Sequence, residues 1–269
     1  MGRYIVEPSL GGDQSRAAIS LDDRFTFMSR YSTVWLDFQE GFVRGNGNAF
    51  NVVNRSRRVD RVTATPRFGT APTYVENAIN GLGAIQFADN AAIGLPSGFQ
   101  AWNISGYTAV CVFNKPATDT GNGQLFGSQL DANGGVATRV LGSADFGDVQ
   151  AYHQSSAEIN YQPGVATITA DTDHILTQVY DAAAGLMRVY VDGFQHAELA
   201  SGADAVPSGA GEALSLGSIG ASVQAAAYLG EMAHFSILPY ATNRTEYGSM
   251  LTDLHSHTAD RYGITLATS

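Results

Sequence analysis

Two strand-forming runs, Leu186-Met-Arg-Val-Tyr-Val191 and Phe194-Gln-His-Ala-Glu-Leu199, are separated only by Asp192-Gly193. A two-residue link of this kind closes a hairpin through a type I′ turn. Both central positions of that turn need positive φ, and Asp-Gly tolerates it. Two-residue alternation then puts Met187, Val189 and Val191 on one face. A lone hairpin is marginal in water, so that face must be covered by further sheet. The unit commits the chain to antiparallel β structure.

The rest of the chain agrees. Short β-prone runs recur at Ala49–Val53, Ala84–Phe87, Tyr107–Phe113, His174–Tyr180, Ala213–Leu216 and Tyr228–Ile237, separated by Gly, Asn, Asp and Pro. Tyr107–Phe113 is apolar on both faces, the mark of a central strand. The 30 glycines suit many turns better than long helices, and 44% hydrophobic residues supply a sizeable core. No run of apolar residues is long enough for a membrane helix. The fold class expected is all-β, a two-sheet antiparallel jelly-roll sandwich.

Both ends depart from this pattern. Residues 1–30 read as an N-terminal arm, broken by Pro8, Gly11 and Gly12 and carrying Phe25, Phe27 and Met28 without clear period. The domain proper then runs over 31–269. Near its end Asn243-Arg-Thr-Glu246 has the form of a capping box. Tyr247, Met250, Leu251, Leu254 and Tyr262 follow at helical spacing, and Gly263 is placed to stop the helix. These signals predict one C-terminal amphipathic helix at about 243–262.

Several strings together resemble a known family. Pro72-Thr-Tyr74, Asn80-Gly81 and Ala84-Ile-Gln-Phe87 are similar to the entry of bacterial and phage laminin G-like domains of the concanavalin A-like class. Tyr107–Phe113 resembles their central strand, Leu186–Gly193 their hairpin, and Leu214-Ser-Leu-Gly217 and Tyr228–Phe235 two later strands. Arg261-Tyr-Gly-Ile264 resembles the close of their final helix. The resemblance covers about 70–264. It implies two curved antiparallel sheets of six or seven strands each, on a fold that serves lectins, polysaccharide-active enzymes and structural virion modules alike.

The residues that catalysis would need are not grouped in the sequence. Glycosidases of this fold set two glutamates around an aspartate on one strand face, but Glu158, Glu198, Glu212 and Glu231 stand apart. Gln150-Ala-Tyr-His153 has the wrong spacing for the Gln-x-His of the fold's lyases. His255 and His257 lie two apart on the predicted helix, so they cannot ligate one metal from one face. No catalytic residue, transition-metal site or cofactor is expected. For calcium, Asp131-Ala-Asn133 and Asp171-Thr-Asp173 place oxygens two apart, but ordinary turn chemistry accounts for both. Cys111, alone in an apolar run, reads as a buried thiol.

What remains is contact. Residues 1–67 hold 10 of the 15 basic residues but only 7 of the 25 acidic ones, within a chain of net charge −10. Such asymmetry favours oriented docking. Its sharpest part, Arg55, Arg57, Arg58, Arg61 and Arg67, is the candidate protein-docking surface, although an ion-paired strand edge fits the same residues. One lysine and no interleaved aromatics argue against nucleic acid. Trp35, Trp102, Tyr152 and Tyr161 are the candidate glycan contacts by residue type.

The expectation is a non-enzymatic attachment protein, most simply a bacteriophage virion subunit for capsid decoration or a tail fibre. It would dock on viral capsid or tail proteins, with symmetric attachment favouring a homo-oligomer. Lacking a signal peptide, it would be made in the host cytoplasm. The alternative is a lectin-like module that binds host glycans.

Overall fold

The computed structural model of the protein describes residues 28–39, 43–44, 50–59, 62–68, 71–88, 91–99, 101–103, 105–128, 135–140, 142, 147–154, 160–161, 168–200, 214–218 and 228–267. Two antiparallel sheets face each other. The first runs β15 (Phe194–Ala200), β14 (Leu186–Val191), β13 (Asp173–Asp181), β8 (Gly106–Asn114), β17 (Gly230–Leu238), β6 (Leu82–Phe87), β5 (Thr73–Ile79). Its eighth strand, β1 (Val34–Asp37), pairs with the C-terminal half of β17, while β6 pairs with the N-terminal half.

The second sheet runs β12 (Asn160–Tyr161), β11 (Val149–Gln154), β10 (Gly135–Val140), β9 (Gly123–Gly127), β16 (Ser215–Leu216), β7 (Ala92–Gly94), β4 (Thr63–Phe68), β3 (Asn51–Val53), β2 (Val43–Arg44). Eight and nine described strands exceed the six or seven per sheet that the resemblance implies, several being only two or three residues long. The all-β sandwich expected from the sequence is what forms.

The expected hairpin holds as well. Asp192 and Gly193 take φ of 49° and 82°, and Met187, Val189 and Val191 all enter the inter-sheet core. Asn80-Gly81, with φ of 48° and 71°, makes the same kind of turn between β5 and β6.

β8 is apolar on both faces for two different reasons. Tyr107, Ala109, Cys111 and Phe113 face the second sheet, whereas Val110 and Val112 lie beneath the C-terminal helix, α1 (Met250–Tyr262). Leu254, Ala259 and Tyr262 of α1 cover Ile79, Val110, Val112, Ile175 and Ala233 on the outer face of the first sheet. Each such fully buried side chain is worth about 1.5–3 kcal/mol, which helix propensity alone would not supply.

The expected span of α1 is corrected at its start. Thr245–Tyr247 forms a 3-10 turn, and Gly248 then takes φ 56°, ψ −122°, which no continuing helix accommodates. The helix therefore begins after Ser249 rather than at Asn243, and Ser249 bonds the Asp253 carboxylate at 2.7 Å. Its end is as expected. Gly263 is left-handed (φ 65°, ψ 24°), and the Ile264 N–H reaches back to the Ala259 carbonyl at 3.0 Å, a Schellman closure. The following tail crosses to the hairpin, where the Ala267 N–H donates to the Asp192 carbonyl at 2.8 Å.

Of the arm, residues 1–27 lie outside the described residues. Residues 28–31 form a helical turn whose Met28 is buried under α1.

Candidate functional site

The outer face of the second sheet is set by alternation. Leu125, Phe126, Val136, Val140, Val149, Ala151, Ile93 and Leu216 point into the inter-sheet core, and the Thr138 hydroxyl bonds Gln178 of the opposite sheet. Period two then turns Ala137, Arg139 and Gln150 outward. The strand registers join Thr65, Gly94, Ser215, Gly127, Ala137 and Tyr152 into one row across six strands. Its middle four positions are Gly, Ser, Gly and Ala, and all four are buried, Ser215 and Ala137 at 0% exposure, so the row is covered rather than open to solvent.

Longer polar side chains flank that row. Arg67 lies across Gly94, where an added Cβ would collide with its Cδ, and Nη1 donates to the Ser215 hydroxyl at 2.6 Å. On the other side Arg139 and Gln150, register partners on β10 and β11, bond through Arg139 Nε and Gln150 Oε1. Gln124 of β9 stands opposite Arg139. The register shifts between Thr138 and Arg139, and at that bulge Gln124 Nε2 donates to the Phe126 and Thr138 carbonyls at 2.5 and 2.9 Å. Its own Oε1 is buried and has no donor among the described residues. A buried acceptor left so costs about 1–3 kcal/mol.

The structure scatters the basic cluster read from the sequence. Arg55 turns inward to Asp37, whose side chain is fully buried, and Arg261 of α1 meets the same carboxylate at 3.0 Å. The Arg55 guanidinium also stacks 4.2 Å from the Trp35 ring. Burial raises the Asp37 carboxyl above its usual range, and the Arg261 and Arg55 guanidiniums oppose that rise. Burial likewise lowers Arg55 to about 10. Arg57 and Arg58 are exposed, Arg58 bonding Tyr240, and Arg67 sits on the second sheet as described. Arg61 lies outside the described residues.

The aromatic candidates do not share a surface either. Trp35 is only 2% exposed, beneath α1 on the first sheet. Trp102 is half-buried at the edge of the inter-sheet core, 4.8 Å from Tyr107, and donates to the Ser128 hydroxyl at 2.6 Å. Tyr152 and Tyr161 occupy β11 and β12, but their side chains lie outside the described residues.

The titratable groups are tied to structure. Among the described residues no three His, Cys, Asp or Glu side chains converge as metal ligands. Asp171 accepts from the Ala117 N–H and Asp173 from the Asn114 amide, which is turn and strand-end chemistry; Asp131 and Asn133 are outside the described residues. His255 is buried against Thr177, 3.1 Å from its hydroxyl, and burial pulls it down to about 4. His234 is buried beside Arg261 and Arg55, and burial followed by those charges pulls it to about 3. His174 bonds Asp192 at 2.7 Å and braces the hairpin turn. Cys111 is buried, and burial pushes its thiol up.

Sequence reasoning missed Gln124, Arg139 and Ser215. The available signal was the alternation Gln150, Tyr152, Gln154 in β11, polar positions at period two beside apolar ones. What it could not supply was the register that sets Arg139, Gln124 and Arg67 along the same face.

No protein-family model and no curated protein matches the sequence. Solved structures do match the fold. Domain 4 of AbnA, a GH43 extracellular arabinanase from Geobacillus stearothermophilus, in complex with arabinotriose, aligns at TM-score 0.56 and 17% identity, covering 84% of this chain and 98% of that one. The botulinum neurotoxin serotype D binding domain aligns at TM-score 0.58 and 10% identity over 87% of this chain and 53% of that one. The binding domain of botulinum neurotoxin DC in complex with SialylT aligns at 0.55 and 10%, over 83% and 51%. At these identities the likeness establishes a shared β-sandwich fold: this chain is similar to nearly the whole of domain 4 of the arabinanase and to about half of each toxin binding domain.

Proposed function

We propose that the chain is a non-catalytic carbohydrate-binding β-sandwich. The observation that carries this reading is the two-sheet antiparallel sandwich itself, which aligns over 84% of this chain with a domain in complex with arabinotriose and over 83% with a binding domain in complex with SialylT. The likeness to a domain bound to arabinotriose and to one bound to SialylT supports it. The test is an oligosaccharide array probed with the intact chain. Binding to no sugar would sink the reading.

Attachment to a protein lattice is kept as a second proposal for one reason. Arg57 and Arg58 are exposed beside the root of the arm, where the Arg57 N–H donates to the Ser29 carbonyl at 2.9 Å. On that reading, in a virion or elsewhere, removing residues 1–27 abolishes attachment while the sandwich stays folded. Full attachment of the truncated chain would refute it.

A further inference from the structure

At one end of the first sheet, where β1 and β8 begin and β17 ends, four segments meet: 28–33, 54–58, 101–105 and the turn 239–249 that leads into α1. Hydrogen bonds tie them together. The Asn54 amide donates to the Thr33 carbonyl at 3.0 Å, and the Thr33 hydroxyl to the Ala101 carbonyl at 3.1 Å. The Asn103 amide donates to the Pro239 carbonyl at 2.8 Å, and Arg244 Nη2 to the Ser105 carbonyl at 3.0 Å. The Thr108 hydroxyl of β8 reaches the Tyr240 carbonyl at 2.8 Å. A ligand at this rim therefore meets loops already ordered, which lowers the cost of binding.

Tyr240 and Tyr247 lie side by side on the rim, their ring centroids 5.3 Å apart and their planes diverging by 51°. Among the described residues no other ring contact between Tyr, Trp or Phe leaves both partners unburied. Tyr240 is seated on the apolar cluster beneath α1, and Arg58 bonds its hydroxyl with the guanidinium 5.2 Å from the ring centroid. The Glu246 carboxylate meets the Tyr247 hydroxyl. Both rings are thus oriented at their tips, while Arg58, Glu246, Gly248 and Ser249 beside them are exposed.

Aromatic surface held half in water suits a ligand with an apolar patch and a polar edge. A sugar ring is such a ligand, with C–H groups on its face and hydroxyls around its rim. Arg58 has N–H groups beyond the one given to Tyr240, and the Glu246 carboxylate accepts, so both sides of a hydroxyl can be met. Two rings set among polar side chains cover far less than the roughly 800 Å² per partner of a stable protein interface.

Resting on the carbohydrate reading, we infer that Tyr240 and Tyr247 form its sugar-contact platform. A sugar ring packs its C–H face on them, and Arg58 and Glu246 bond the hydroxyls at its edge.

The experiment probes an array carrying arabinotriose, lactose, 3′-sialyllactose and other oligosaccharides with the intact chain, then titrates the members that bind. Tyr247→Ala and Tyr240→Ala should each lower the affinity about tenfold. Tyr247→Phe keeps the ring and should stay within about threefold of wild type. Phe194→Ala, which removes the exposed ring at the β14–β15 turn, should change nothing. Thermal midpoints separate loss of binding from loss of fold, and Tyr247, outside the cluster that seats Tyr240, decides the matter if Tyr240→Ala unfolds. Sugar binding left intact by both alanine variants overturns the platform and leaves the carbohydrate reading standing, and so does an equal loss in Phe194→Ala. Binding of no sugar overturns both readings. Self-association that Tyr247→Ala abolishes, with no sugar bound, makes the rings a protein contact and overturns both as well.

Discussion

Acid should loosen α1, and His255 is where the effect can be isolated. Its ring is buried between the helix and β13, with the Thr177 hydroxyl at 3.1 Å, the Tyr190 ring at 5.5 Å and Asp192 nearby, whose charge opposes the shift without reversing it. Burial lowers its pKa from 6.5 to about 4. In the unfolded chain the ring takes a proton below pH 6.5, whereas in the folded chain it stays neutral down to about 4. Stability from this group is therefore complete above pH 6.5 and is lost as pH falls towards 4. One pKa unit corresponds to 1.36 kcal/mol, so the loss by pH 5 is about 2 kcal/mol, and about 3 kcal/mol at the limit.

His255→Gln keeps a partner for Thr177 but cannot titrate. Urea unfolding followed by tryptophan fluorescence at pH 7.5 and 5.0 gives the comparison. His234 and Asp37 contribute equally to both proteins and cancel. Wild type should lose about 2 kcal/mol more than the variant between the two pH values, a difference on the order of 0.5–1 M in midpoint. A difference below about 0.5 kcal/mol would mean that His255 is hydrated in the folded protein and that α1 is not seated as described.

Four other outcomes follow from particular contacts. Gly94→Ala drives a methyl into Arg67 and should lower the thermal midpoint by a few degrees. Gly193→Ala forces a side chain to φ 82° with Leu266 3.1 Å from the new Cβ, and should cost roughly 1–2 kcal/mol by denaturant titration. Lys115 and Asp119 form an ion pair with both side chains buried; Lys115→Met should cost about 3–5 kcal/mol, and adding Asp119→Asn should recover much of it. Cys111 should react with a thiol reagent only as fast as the protein unfolds, since it is fully buried and burial raises its pKa.

The fold was legible because its decisive signals are local. Asp192-Gly193 and Asn80-Gly81 dictate hairpins from two residues each, since few sequences accept two consecutive positive φ values. Gly263 likewise ends α1 where it stands. The start of α1 was misplaced because Asn243 and Glu246 satisfy a capping pattern while Gly248, two residues on, takes a conformation that breaks it. A glycine's letter does not state its φ.

The alternation of a strand shows which residues share a face, but not what that face meets. Val110 and Val112 looked like core and lie under a helix from the far end of the chain. Arg55 looked like surface charge and is spent on Asp37, a partner no spacing rule connects to Arg261. The composition recorded an acidic chain with a basic beginning. Only strand pairing decided that the second sheet's strands would be free of carboxylates and that Arg67 and Arg139, 72 positions apart, would stand on one face. Strand register is a long-range choice, fixed by which apolar faces can be buried together, and it is there that the tertiary structure joins residues the sequence keeps apart.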